Sequence, residues 1–224
     1  MPVVLYFAMS VCRSVGGQSV GGFGAVAIPR SHYDAFCREV GCAKHDVLGP
    51  EHELKGASCF SRMAFRQRER HEHAASLQAA EEALSAIGQQ GGSTFAAWTT
   101  RREWMLLREP RSGALSPPYE VLLEDCVRHA DARLPGPAAQ GTFVLPSRTL
   151  KEDLIASRAV HDFLLRIRAG QHGQLLELPH FAPTAASPGL QAAGLVAYLA
   201  AHQHDPAFRP ELRPYWAAVA AVGT

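Results

Sequence analysis

Side chains able to do chemistry fall in a few short stretches of the chain. "EHELKG" places His52 and Glu53 next to each other with Lys55 two residues on, a set that could exchange protons or hold a phosphate. The plain alternative is a solvated strand end or loop. "RQRERHEH" gathers Arg66, Arg68, Arg70, His71 and His73, types that neutralise a phosphate backbone. Glu69 and Glu72 interrupt it, as they would on a charged helix face. Trp98 precedes Arg101 and Arg102, which could stack a base while guanidiniums hold phosphates, or could be an edge strand with a packed tryptophan. His71 and His73, like His202 and His204, are two residues apart; on a helix that spacing points them to different sides and argues against a shared metal. Arg158, His161, Arg166 and Arg168 read as the outer face of an amphipathic helix.

The five cysteines, Cys12, Cys37, Cys42, Cys59 and Cys126, form no CxxC pair and are odd in number. They predict neither a disulfide framework nor a zinc ribbon but buried, inert thiols in a reducing cytoplasm. Ser14, Gly16, Gly17, Gly21, Gly22 and Gly24 read as a glycine-rich hairpin. No helix opens at its end, so it is not a phosphate loop.

These groups must be positioned by a chain of 224 residues, 47% hydrophobic and 19% charged, which predicts one domain over 1–224 with a short helical extension at about 208–224. The net charge of +1 excludes a whole-molecule field for a polyanion, so any nucleic-acid surface is local. All but three of the 22 basic residues are arginine, a bias that a GC-rich genome also produces. The apolar N-terminal stretch has no basic residues before it, and nothing reaches the roughly 20 apolar residues of a membrane span. A soluble, unsecreted, cytoplasmic protein with no membrane partner is expected.

Hydrophobic periodicity and boundary residues predict strands at 3–10 and 23–29, the latter stopped by Pro29, then a short helix over 31–41 ended by Gly41. A long amphipathic helix follows over 63–87, then one or two strands within 93–109 and a helix over 118–134. The strand "TFVLP" (142–146) leads into a helix opened by a capping box, Thr149 to Glu152, and closed at Gly170. A strand at 174–181, a helix from Ser187 with Pro188 in its first turn, and a short apolar helical tail complete the order. Strands interleaved with helices predict an α/β layered domain. The last long helix, "SPGLQAAGLVAYLAAH", carries Gly194 at its centre, where glycine costs roughly 1 kcal/mol relative to alanine.

Three stretches, "LYFAMSV", "ELKGASCF" and "SPGLQAAGLVAYLAAH", together resemble the bacterial domain-of-unknown-function family thirty-eight hundred, whose members have a ribonuclease-H-like fold. The intervening "FAAWTTRR", "YEVLLEDCVRHADARL" and "TFVLP" fit the same order, so the resemblance covers nearly the whole chain. It implies a mixed sheet flanked by helices, with Mg²⁺ or Mn²⁺ held by carboxylates converging from the first strand, a later strand and a late helix. Two such ions about 3.5 to 4 Å apart clamp the attacking and leaving oxygens of a phosphodiester. The family positions that carry acids fall here on Ala8, Met9, Ser58, Pro146 and Gly194, while Ser10, Lys55 and Gln191 are retained. Gly194 thus stands where the family has a carboxylate. Alanine, methionine, proline and glycine donate no side-chain oxygen to a hard cation.

The resemblance therefore implies a degenerate member without catalytic residues, metal or cofactor. It would bind a nucleic acid, a catalytic protein subunit or both, with Arg66, Arg68, Arg70, Arg101 and Arg102 as nucleic-acid candidates. A rival expectation is a metal-dependent nuclease or phosphodiesterase whose site, with Mg²⁺ or Mn²⁺, is rebuilt from His52, Glu53, Asp34 or Glu177. A third is a structural subunit of a bacterial assembly, for instance in defence against phage or mobile DNA.

Overall fold

In β1 (Val3–Arg13) and β2 (Ser19–Pro29) the residues divide by parity. Leu5 and Phe7, with Phe23, Ala25 and Ala27, enter one apolar cluster, whereas Tyr6 and Ala8, with Val26 and Ile28, enter another. Alternation with period two places successive side chains on opposite faces of a sheet. Both faces of this sheet are covered. The computed structural model describes residues 2–13, 19–49, 52–66, 71–99, 117–133, 141–170, 179–203 and 210–222.

Five strands form one mixed sheet in the order β3-β2-β1-β4-β5. β1 and β2 pair antiparallel from Val3↔Pro29 to Arg13↔Ser19, and β3 (Ser93–Thr99) continues antiparallel on β2. On the other side of β1, β4 (Gly141–Pro146) and then β5 (His180–Ala182) pair in parallel. The helices α1 (Tyr33–Leu48), α2 (Gly56–Cys59), α3 (Arg62–Arg66) and α4 (His71–Gln89) lie between β2 and β3 in the chain. Then α5 (Pro117–Arg133) precedes β4, α6 (Leu150–Gly170) follows it, and α7 (Pro188–Gln203) and α8 (Arg213–Val222) end the chain. α5 and α6 supply Leu122, Val127, Val160 and Phe163 to the cluster containing Phe7; α1, α4, α7 and α8 supply Phe36, Leu84, Val196 and Val219 to the cluster containing Tyr6.

Several expectations change in the structure. Gly41 does not end α1, which runs to Leu48 because Phe36, Val40 and Ala43 continue one buried face past it; the stop is Gly49, whose φ of 87° suits a residue without Cβ. The helix expected over 63–87 is seen as α3 and α4, with 67–70 between them outside the described residues. Of the strands expected over 93–109 and 174–181, β3 and β5 are seen, and 100–109 and 171–178 lie outside the described residues. Gly21, Gly22 and Gly24 belong to β2 itself, not to a turn.

The reason for glycine at 22 and 24 is α7. Ala193, Ala197 and Ala201 recur at every fourth residue and so share one helix face. A Cβ at Gly24 would lie 2.8 Å from Ala193 O, and one at Gly22 would lie 2.6 Å from Ala197 O, both backbone atoms that cannot swing away. Small residues on both sides let the helix axis approach the sheet.

The capping box forms as expected: Glu152 N–H donates to Thr149 Oγ1 (3.3 Å) and Thr149 N–H to Glu152 Oε2 (3.2 Å). Hydrogen bonds from the Thr149 side chain and then its backbone hold the exposed Glu152 carboxyl below its ordinary value of 4.5.

Two outcomes are expected. Gly24→Ala lowers unfolding stability by about 1–3 kcal/mol through overpacking, measured by urea denaturation. Because the Glu152 pKa is depressed in the fold, its contribution to the start of α6 is present above the unfolded value and is lost as pH falls through the lower folded value. The protection of the Glu152 amide, taken relative to its intrinsic exchange rate at each pH, should therefore fall on acidification in the native chain and show no such acid step in Thr149→Ala.

Candidate functional site

The central element is α7, buried from Gly189 to Ala201 except at Gly194. Its start is fixed by Ser187, whose Oγ accepts the Leu190 N–H at 3.3 Å, as an N-cap does. One turn on, Gln191 is 2% exposed and uses both ends of its amide. Its Oε1 accepts the Leu54 N–H at 2.9 Å; its Nε2 donates to Thr184 O (3.1 Å) and Ala185 O (2.9 Å). Gln191 thereby ties residues 52–55 and the turn Thr184–Ala186 to the helix. Tyr198, two turns further, packs against Gly56 so closely that a Cβ there would overlap its ring. The segment from Leu54 to Gly56 is therefore docked on either side of Gly194.

Three of the five expected acid positions share the α7 side of the sheet. Ala8 is 6% exposed and belongs to the apolar cluster that includes Ala193 and Ala197. Pro146 ends β4 opposite Ala182, and the β1–β4 register, Val3↔Gly141 to Tyr6↔Val144, continued by two residues brings it level with Ala8. Gly194 faces open space: a Cβ there meets nothing within 4 Å. No close approach requires this glycine. Met9 lies on the opposite face, packed on the α5–α6 core, and Ser58 is exposed on α2. Of the residues that the resemblance counts as retained, Ser10 is half-buried opposite Gly22, and Lys55 sits between the two docking points with its ammonium 3.1 Å from Glu53 Oε2.

A polar cluster of buried Tyr6 with half-buried Tyr33 and Cys37, which sequence reasoning missed, lies on the same side. Tyr6 and Tyr33 stack with centroids 6.4 Å apart and are hydrogen-bonded to each other and to Cys37. Burial first, then the Tyr33 hydrogen bond, raises the Tyr6 phenol, and burial raises the Cys37 thiol. Cys59 is pushed up to about 12 by burial and Cys126 is also raised by burial, so these thiols are protonated and poor nucleophiles at neutral pH. Only the strand parity that turns Tyr6 toward the helices hinted at this cluster.

The other candidates are dispersed. Asp34 is exposed in the first turn of α1, His52 is exposed, Glu53 is paired with Lys55, and Glu177 lies outside the described residues. Among the described residues no three His, Cys, Asp or Glu side chains gather closely enough to hold a metal ion. Arg66 is exposed at the end of α3, whereas Arg68, Arg70, Arg101 and Arg102 lie outside the described residues. His202 stacks on Tyr198 with centroids 3.8 Å apart, and its Nδ1 lies 2.8 Å from the Tyr198 carbonyl; His204 lies outside the described residues. Arg158, His161 and Arg166 are exposed on α6 as expected, with Arg166 3.1 Å from Glu124. No described helix is long and apolar enough to cross a membrane.

Compared with known proteins, the chain matches no family model, no curated protein and no solved structure.

Two substitutions on α7 should separate structural from vacant positions. Gln191→Leu strands the buried Leu54 N–H and removes the bonds to Thr184 O and Ala185 O, and should cost about 1–3 kcal/mol, whereas Gly194→Ala should stabilise by roughly 1 kcal/mol. Equilibrium denaturation of both variants checks the pair.

Proposed function

We propose that the chain is a catalytically degenerate ribonuclease-H-like protein that acts as a binding subunit of a bacterial complex. The observation that carries this reading is the shared location of Ala8, Pro146 and Gly194 on the α7 side of the sheet. A first strand, a later strand and a late helix meet there, the convergence that the family resemblance requires. The three residues offer no side-chain oxygen, and Mg²⁺ or Mn²⁺ needs oxygen ligands. The antiparallel β1–β2–β3 half and the parallel β1–β4–β5 half of the sheet are compatible with the same fold.

The partner favoured by the surface is a protein. Leu150, Leu154 and Leu165 of α6 are 78%, 52% and 51% exposed, and their spacing puts them on one face. Leu150 and Leu154, one turn apart, form the adjacent exposed pair, with Leu165 three turns on, and contiguous exposed apolar surface marks interaction sites. For nucleic acid the described support is the exposed Arg66 alone, since the other arginine candidates lie outside the described residues.

The test is the native mass of the protein purified gently from its own cells, with and without nuclease. A mass excess that survives nuclease and is lost in Leu150→Asp/Leu154→Asp supports a protein partner on α6. An excess that nuclease removes makes the ligand a nucleic acid. A bare monomer that cleaves nucleic acid with Mn²⁺ overturns the reading.

A further inference from the structure

The groove between α4 and α8, on the periphery of the fold and separate from the site above, has a composition of its own. It encloses a cavity of about 700 Å³, inside the range of roughly 300–1,000 Å³ typical of small-molecule sites. Leu84, Ala218 and Val222 supply apolar wall, and Phe65 and Tyr215 form an aromatic corner with ring centroids 6.1 Å apart at 59°. The charged residues among the described lining are both acidic, Glu81 and Glu211. Glu81 is held in place at the wall by the Tyr215 hydroxyl, which donates to its Oε1 at 2.8 Å.

The backbone adds to the same sign of potential. Glu81 meets Tyr215 and, seven residues along each helix, a Cβ at Gly88 would lie 3.4 Å from Val222 Cγ2. α4 and α8 therefore run parallel and bring their C-terminal ends to one end of the groove. Helix C-termini carry about half a negative charge each and favour cations within the last turn. Apolar walls, aromatic faces, two carboxylates and two helix C-termini are complementary to one class of small molecule. Aromatic faces attract cations, most strongly where water is displaced.

We propose that this groove binds a small organic cation with an apolar body, of the quaternary ammonium or protonated arylamine class. Its position is anchored by the fold: Thr94 Oγ1 donates to Val219 O at 2.7 Å, which ties α8 to β3, and the fully buried Leu212 fixes the entry to the helix. The groove is thus a built feature of the domain.

The test compares two ions of the same size and shape and opposite charge, tetraphenylphosphonium and tetraphenylborate, by calorimetric titration of the full chain. Tetraphenylphosphonium should bind one site. The borate should bind at least about tenfold more weakly, a difference of roughly 1.4 kcal/mol. Glu81→Gln/Glu211→Gln should weaken the phosphonium about tenfold and leave the borate unchanged or tighter; glutamine at 81 still accepts the Tyr215 hydrogen bond. If the double variant melts early, Glu211→Gln alone carries the same comparison. Equal affinity for the two ions, no phosphonium binding, or binding indifferent to the carboxylates in a folded variant overturns the proposal.

Discussion

The fold depends on one close contact, the seating of α7 on Gly22 and Gly24 of β2 through Ala193, Ala197 and Ala201. Without a Cβ on the strand and with only methyl groups on the helix, backbone meets backbone. Dispersion contacts are then gained along the length of the helix, and each is small but their sum is large. The same seating fixes which residues α7 turns away from the sheet. Gln191 and Tyr198 can reach across to Leu54 and Gly56 because the helix beneath them cannot roll. Buried Tyr6 closes over Gly189 at the start of the helix, and α8 packs beyond its far side. Much of the α7 half of the molecule is hung on this helix.

That arrangement gives the candidate site its character. Carboxylates at three positions converging on the α7 side of the sheet would repel one another and lose hydration, and a bound cation would be needed to hold them together. Ala8, Pro146 and Gly194 carry neither burden: Ala8 is packed into the apolar cluster, whereas Gly194 leaves open space beside it. Gln191 acts differently: it is fully satisfied by backbone partners, which makes it a structural hub whether or not any chemistry survives nearby.

The sequence exposed the local signals and concealed the long-range ones. The apolar runs of β1 and β2, the Thr149–Glu152 box and the Ser187 cap are local patterns, and each forms where the residues indicate. Gly41 misled because a stop signal competes with a continuing apolar face, and in α1 the face prevails. The glycines at 21, 22 and 24 suggested a loose hairpin, since nothing local reveals that a helix more than 160 residues later needs their surface. Gly194 is the converse: it invites a steric explanation, and the structure offers open space instead. Glu53 and Lys55 were legible as chemical types, but not as an ion pair, nor as flanking the Leu54 link to α7. The α4–α8 groove was invisible, because its two carboxylates lie 130 residues apart in the chain.

The most direct measurement of the central claim is a Mn²⁺ titration of the purified chain followed by electron paramagnetic resonance, which counts ions that leave the free pool. The account predicts no stoichiometric site for Mn²⁺ in the native chain. A tightly bound ion, displaced by Mg²⁺ and sensitive to substitutions beside Ala8 and Gly194, would contradict it and place metal chemistry on the α7 side of the sheet.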